Sequence, residues 1–537
     1  MVYKIVSINE WLYSDTQVAE TDSNEINVGA ARGTYAACQV FFSSVCPGEL
    51  IHWEYSTHPS GVNWEMPEVY QLIDIPVDKN TGPVAMAVKE GESAEGYTSR
   101  IAPFRVYDAM KPLTENTYTR GQTEAFYVCW KIPKDAQPGL YTGMLTFQLG
   151  AVVYTIPVVQ KVYSACIPVK ETLAITNWFS LPNMATRHNL EMWSEEHWTM
   201  IKRYGELMRR SRQTHFLLPM ELIEVNKTES GPYTFVFDRA ERLIRLFLDL
   251  GFTCIEGGHV GAKERMHQHP YCVLFNDGTT RATSPEGYAF LAQFLTAWRI
   301  FLQRNGWLDK TIQHIADEPN VNTEADYRVL SSIIRKYLPG IPLIDALSSY
   351  KLGGAVDIWV PTNKDYQENR EGFESLRKLG DTLWFYTCCT PGGYYLNRFM
   401  DIPLLKTRLL HWGNFIYNLE GFLHWGLNYY EDAQDPFKES SPVHRKGFSG
   451  TGILPPGDTH IVYPGPEGPW GSIRLEAMRA GAEDYELLTL LKSENEKTAE
   501  NICRECITNF HEVNVDSLNF ENAHRRLLTE VSLIQSL

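Results

Sequence analysis

The chain's 537 residues exceed what one ordinary core can organise, so two or three domains are expected. With 49 Lys+Arg against 65 Asp+Glu and no basic run, nothing is built to hold a nucleic acid backbone or an anionic membrane, and a neutral or polar small molecule is the expected partner. The 14 Trp, 28 Tyr and 24 Phe supply flat rings that suit the apolar faces of sugars, a use they share with packing in cores.

The first residues, "MVYKIVSINEWLYSDTQ", lack a positively charged start followed by an apolar stretch. No run approaches the roughly 18 to 20 apolar residues that span a bilayer, so a cytoplasmic protein without a membrane partner is expected. The ten cysteines are scattered, and the single C-x-x-C, Cys503 to Cys506, lacks the second pair of a structural zinc site. Reduced structural thiols are the expectation.

Residues 1–168 contain short apolar runs, "YAACQVFFSS", "AFYVCWKIP", "GMLTFQLG" and "VVYTIPVVQKVY", separated by turn clusters such as "PKDAQPGLYTG". Repeated strands without helical periods predict an antiparallel β-sandwich. From residue 169 the rhythm becomes strand then helix. Strands are predicted at 174–180, 214–219, 252–258, 311–316, 341–347, 356–361, 382–388 and 421–428, with amphipathic helices such as "DRAERLIRLFLDLG" between most of them. Ser284 and Pro285 form a helix start and Gly306 a stop. Eight such repeats across 169–465 predict a (β/α)8 TIM-type barrel, with its active site on the loops after the C-terminal strand ends. The connection between the fifth and sixth strands is short for a full helix. Residues 466–537 read as a small helical segment packed on the barrel, in which Arg474, Arg479 and Asp484 fall at helical spacings suited to structural ion pairs.

The fourth predicted strand runs into Asp317, Glu318 and Pro319. Neighbouring side chains in a strand point to opposite faces, so both acids reach the barrel mouth only if the strand is already unwinding there. Pro319 fits such a break. Two acids held close push their pKa values apart, leaving one ionised and one protonated, the division of labour that glycoside hydrolysis uses. The bland alternative is a solvated loop leading to a helix N-terminus, where acids are welcome.

An ordinary retaining glycosidase needs a second carboxylate about 5 to 5.5 Å from the acid. Strand seven ends without one, while Asp345 in strand five and Glu431 and Asp432 after strand eight are less well placed than the adjacent pair. That pattern points to a nucleophile carried by the substrate: the carbonyl oxygen of a 2-acetamido group attacks its own anomeric carbon. Glu318 is then the general acid and base, and Asp317 orients the acetamido N–H and stabilises the cationic intermediate. Two rival readings stay open, a conventional retaining glycosidase using Glu431 or Asp345, and a glycan-binding protein without turnover.

"HIADEPN", "NLEGFLHWGLNYY" and "HIVYPGPEGPWGSIRLEAMRAGAEDYELL", in that order, resemble glycoside hydrolase family 123, the N-acetyl-β-galactosaminidases, over roughly residues 170–495. The resemblance implies a sandwich followed by a barrel, and a retaining, substrate-assisted reaction on terminal β-linked N-acetylgalactosamine of glycans such as those of glycosphingolipids. It also implies an Asp-Glu pair at Asp317 and Glu318 and no metal or organic cofactor.

Four further residues are candidate contacts to a terminal N-acetylhexosamine. Trp425 is either a floor for the sugar ring or a barrel-core tryptophan, and Asn428 a donor or acceptor to a sugar hydroxyl. Tyr386 is either a hydroxyl donor to the acetamido carbonyl or a structural tyrosine. His259 is either a sugar-hydroxyl partner or a satisfied loop histidine. With His267, His269 and Cys272 it matches no metal-ligand spacing. Trp178 and Trp384 read as core.

Overall fold

The structure, a computed structural model, describes residues 3–19, 25–57, 66–227, 232–263, 269–275, 278–444 and 452–535. A four-stranded sheet (Ile26–Arg32, Val152–Cys166, Gly139–Leu149 and Ile51–Thr57) packs on a larger sheet that includes Tyr35–Ser43, Thr123–Lys131, Glu68–Val77 and Phe104–Pro112. Strand periodicity explains the packing. Phe126, Val128 and Trp130 point into the core between the sheets, while Ala125, Tyr127 and Cys129 enter a second core on the opposite face with Tyr463, Ile473 and Ala477. The larger sheet is therefore a middle layer, covered on both faces. Within the predicted antiparallel sandwich one pair departs from the pattern: Ile26–Arg32 runs parallel to Val152–Cys166.

The eight predicted barrel strands are present, here numbered one to eight: Ala174–Asn177, His215–Leu218, Cys254–Gly257, Thr311–His314, Leu343–Ala346, Ile358–Val360, Thr382–Tyr386 and Gly421–His424. All pair in parallel, and strand one joins strand eight. Between strands one and two the ring is joined by the Thr214 amide, which donates to the Ile175 carbonyl at 3.1 Å. The Ile175 amide donates to the Thr214 hydroxyl at 3.0 Å. The short connection between strands five and six holds a single helical turn, Tyr350–Leu352. The helix Pro285–Asn305 starts and stops at the predicted residues: the Ser284 hydroxyl accepts from the Gly287 amide, and Gly306 takes φ 71° as the left-handed cap.

After strand eight the chain returns to the sandwich, where Gly468–Ser472 pairs with Phe104–Pro112. Ser472 then caps the long helix Ile473–Cys506, whose first turns are buried on every side between barrel and sandwich. Burial all round forces its charged side chains to pair. Arg474 meets Asp108 at 2.9 Å, Arg479 meets Glu476 and Glu483 at 2.8 Å each, and Asp484 meets Arg408 at 2.7 Å. The expected ion pairs are thus made, in the interior.

The sandwich also reaches the face that carries the barrel's strand ends. In its loop 78–103, the Thr81 amide and hydroxyl donate to buried Asp401 at 2.6 and 2.8 Å, and the Met86 amide donates to the Cys389 carbonyl at 2.8 Å. Gly392 approaches this loop so closely that a Cβ would stand 2.0 Å from the Gly82 carbonyl.

Asp484 also accepts from the Trp412 indole at 2.9 Å and lies 3.1 Å from His524. Replacing it with alanine strands Arg408 in the interior, so Asp484→Ala is expected to lower unfolding free energy by about 3 to 5 kcal/mol, read from the midpoint of a denaturant titration.

Candidate active site

Strand four is buried throughout and ends at His314, three residues before Asp317. Beyond it the backbone has no regular partner in strand five, and a side chain takes the partner's place. Asp345 Oδ2 accepts from the amides of Ile315 at 3.2 Å and Ala316 at 2.9 Å, and from the Tyr327 hydroxyl at 2.8 Å. The period of two is broken there, and Glu318 turns further with φ +45°, a left-handed conformation that costs a non-glycine residue strain. Both acids leave the strand before its alternation could separate them.

Behind the pair lies a charged network. His314 Nδ1 is 2.9 Å from Asp345 Oδ1 and its Nε2 is 3.1 Å from Glu256 Oε2, with all three side chains fully buried. Burial works against a charged imidazole, but the bonds to the two carboxylates outweigh it and raise the His314 pKa to about 9. Burial likewise pushes Asp345 and Glu256 up. The close approach of His259 and the hydrogen bond from His314 hold Asp345 well below the usual carboxylate range, and His314 brings Glu256 down. His314 is a cation clasped by two anions.

The pair itself is poised differently. Asp317 is open to solvent and Glu318 half-buried, yet both sit deep within the barrel rim, and that crowding is the main reason their pKa values rise. Asp317 is raised further by Asp345, against the opposing pull of His259, Lys263 and His314. Glu318 reaches about 7, driven by burial and then by the charge of Asp317, while a hydrogen bond from Tyr386 and the charge of Lys263 oppose the rise. The Tyr386 hydroxyl donates to Glu318 Oε1 at 2.7 Å, and Lys263 Nζ donates to the Glu318 carbonyl at 2.8 Å.

Of the predicted contacts, Tyr386 and His259 join Asp317 and Glu318. His259 Nε2 lies 3.2 Å from Asp345 Oδ1, and its ring is 4.5 Å from that of His314. Tyr386 donates to Glu318 in this structure. Trp425 is half-buried beside the barrel-core cluster of Trp384, Tyr386 and Leu423, with its ring against Tyr429. Asn428 corrects the sequence reading: its amide is fully buried and engaged at both ends, accepting from the Ser180 amide at 2.8 Å and donating to the Ser180 carbonyl at 3.1 Å. It fixes the loop after strand one and, fully buried, is out of a sugar's reach in this structure. Trp178, read as core, stands at the network, donating its indole N–H to Glu256 at 3.2 Å with its ring edge-on to His314.

Asp345 is also unsuited to nucleophilic attack, since it is buried and its oxygens are occupied by donors. Glu431 borders a recess with Asp432, Gln434 and Pro442 that no strand-four residue lines. His259, His314 and Asp345 are the one trio among the described residues whose donor atoms cluster, within 4.8 Å, as a metal site would require. Both ring nitrogens of His314 already share hydrogen bonds with carboxylates, one of them Asp345, which leaves neither nitrogen free as a metal ligand. His267 lies outside the described residues, and His269 pairs with Asp326 at 2.5 Å. Sequence reasoning missed Lys263, Glu256 and His314, whose roles arise only when neighbouring strand ends are brought together.

A model of the glycoside hydrolase 123 catalytic domain matches residues 178–491. No curated protein matches the chain. A solved family 123 glycoside hydrolase from Clostridium perfringens is similar with TM-score 0.72 and 14% identity, covering 99% of this chain and 96% of that one. A β-glucuronidase from Parabacteroides merdae matches with TM-score 0.32 and 10% identity over 84% of this chain and 52% of its own. With the catalytic-domain match spanning more than half of its sequence, the chain belongs to glycoside hydrolase family 123 and is a glycan-cleaving enzyme.

Proposed function

We propose that the enzyme releases terminal β-linked N-acetylgalactosamine by substrate-assisted, retaining hydrolysis. One observation carries the reading: Asp317 and Glu318 are presented together at the end of strand four, while Asp345 and Glu256 around them are locked in buried ion pairs and cannot attack an anomeric carbon. The nucleophile then has to come with the substrate. The acetamido carbonyl oxygen attacks the anomeric carbon as Glu318 gives its proton to the leaving oxygen, closing an oxazolinium ring. Asp317, as a carboxylate, holds the acetamido N–H and offsets the ring's positive charge. Glu318, now ionised, takes a proton from water, which opens the ring from the face the leaving group vacated, so configuration is retained.

Tyr386 orients the Glu318 carboxyl through its 2.7 Å bond, and Trp425 supplies a face on which the sugar ring rests. The similar Clostridium perfringens enzyme is described in terms of glycolipid glycan hydrolysis, which supports glycans of glycosphingolipids as the natural substrate class.

A matched panel of nitrophenyl β-glycosides tests the reaction type. Turnover is expected on N-acetylgalactosamine, confined to the acetamido sugars and absent on galactose and glucose; hydrolysis of either sugar without the acetamido group would refute substrate assistance. Glu318→Gln is expected to lose roughly 10²- to 10⁴-fold in kcat on glycans with poor leaving groups, and far less on activated aryl glycosides. Equal loss on both would remove Glu318 from the acid role. Because the acid must be protonated, kcat is expected to fall as pH rises through about 7, measured as a pH-rate profile on a substrate with a poor leaving group.

A further inference from the structure

We infer that Lys263 is a positioning residue for this reaction, clamping the carbonyl of Glu318 to hold its left-handed turn and setting a fixed positive charge against the Asp317–Glu318 pair. The inference rests on the function proposed above. It begins with the backbone: the amides of Val260 and Gly261 both donate to the Ile315 carbonyl, at 3.1 and 2.9 Å, so the loop after strand three is tied to the exit of strand four. Gly261 permits that approach, because a Cβ there would stand 2.8 Å from Leu330 and 3.1 Å from Ala316. Gly261–Ala262 then pairs with Tyr271–Cys272, which fixes where Lys263 departs.

The Lys263 ammonium, on a half-buried side chain, donates to the backbone of Glu318, at 2.8 Å, and the structure gives it no bond to the carboxylate. That choice of atom matters. A salt bridge to the Glu318 carboxylate would favour its ionised form and disable it as an acid, whereas a bond to the carbonyl restrains φ +45° and leaves the carboxyl to Tyr386. The charge still acts on both acids from nearby, opposing the rise in their pKa values. Burial lowers the pKa of Lys263, and the charges of Asp317, Glu318 and Asp345 counter that fall. Other groups face the pair: Glu318 sees Asp317, Tyr386, Asp365 and Cys388, and Asp317 sees His259, His314, Asp345 and Tyr327. None of them is itself altered by a substitution at Lys263 alone.

The test is the pH dependence of kcat and kcat/KM for Lys263→Met and Lys263→Arg in the full chain, on nitrophenyl β-N-acetylgalactosaminide and on a glycan carrying the same terminal sugar. Losing the positive charge makes both acids harder to ionise, so in Lys263→Met both limbs of the profile should move to higher pH by about one unit. Its kcat on the glycan should fall roughly tenfold or more with KM little changed, because a misplaced acid slows the chemical step more than binding. Lys263→Arg keeps the charge and should keep the wild-type limbs. A lowered kcat with unmoved limbs, or wild-type kinetics in the Met variant, overturns the inference. If the Met variant does not fold, as judged by circular dichroism, Lys263→Gln, which keeps a donor and loses the charge, carries the pH test: limbs moved to higher pH support the inference and unmoved limbs overturn it. Wild-type turnover without an acetamido group would instead defeat the proposed function, so the two failures are separate.

Discussion

Everything at the mouth of the barrel, where the candidate site lies, is hung on one buried cation. His314, shut off from water between Asp345 and Glu256, joins the ends of strands three, four and five through contacts of 2.9 and 3.1 Å. Such a cluster is a poor source of net stability, because three desolvated charges recover little more than they lose. Its value is geometric. With its histidine contacts made at one oxygen, Asp345 has the other free to accept the amides of Ile315 and Ala316, the backbone donors that a parallel strand would otherwise have satisfied. The strand can then stop at His314 without orphaned amides, and Asp317 and Glu318, three and four residues on, are released to face the mouth together.

That release resolves the conflict in placing two neighbouring acids on one side of a strand. Asp317 and Glu318 are outside the strand altogether, and the positive φ of Glu318 completes the turn. The network also shapes their titration. Asp345 raises Asp317, while His259, His314 and Lys263 lower it, so opposing charges surround the pair and the crowding of the barrel rim decides the direction. Glu318, crowded within the rim and next to the charge of Asp317, ends near neutrality at about 7. A carboxyl at that value can give a proton and take it back within one reaction cycle.

The barrel was legible because each strand is a short apolar run bounded by turn residues, and because helix signals such as Ser284 and Gly306 are local. The acids were legible for the same reason: they follow an apolar run directly. What stayed hidden depends on distant residues. Lys263 lies 55 residues before Glu318 in a loop with no pattern of its own, and only the pairing of loop three with the end of strand four brings it there. Asp345 stood out as an acid at a strand end, the right place for a nucleophile, but its engagement follows from His314, a residue that sequence alone reads as strand filling. Asn428 was misleading in the same way, since its partner, Ser180, belongs to the loop after strand one. The parallel pairing of Ile26–Arg32 has no local signature either, because a strand's direction is fixed by its neighbour and not by its own residues.

The sandwich and the long C-terminal helix are part of the same constraint. Arg474 is fully buried, and its guanidinium is spent on Asp108 of the sandwich and on the carbonyls of Arg398, Gly457 and His460 in the barrel's last loops. Arg398 in turn donates to Asn177 of strand one at 2.8 Å and to the Gly426 carbonyl, immediately after Trp425. A guanidinium cannot give up its charge to escape an apolar site, so each of these donors must find an acceptor wherever the chain folds. The carboxylate that neutralises Arg474 comes from the sandwich. A barrel separated from that domain would hold an unpaired buried cation one arginine away from the end of strand eight, and the loop that carries Trp425 would lose its anchor. The sandwich and the barrel therefore meet through charge as well as through apolar surface, and the face that carries the strand ends is tied to both.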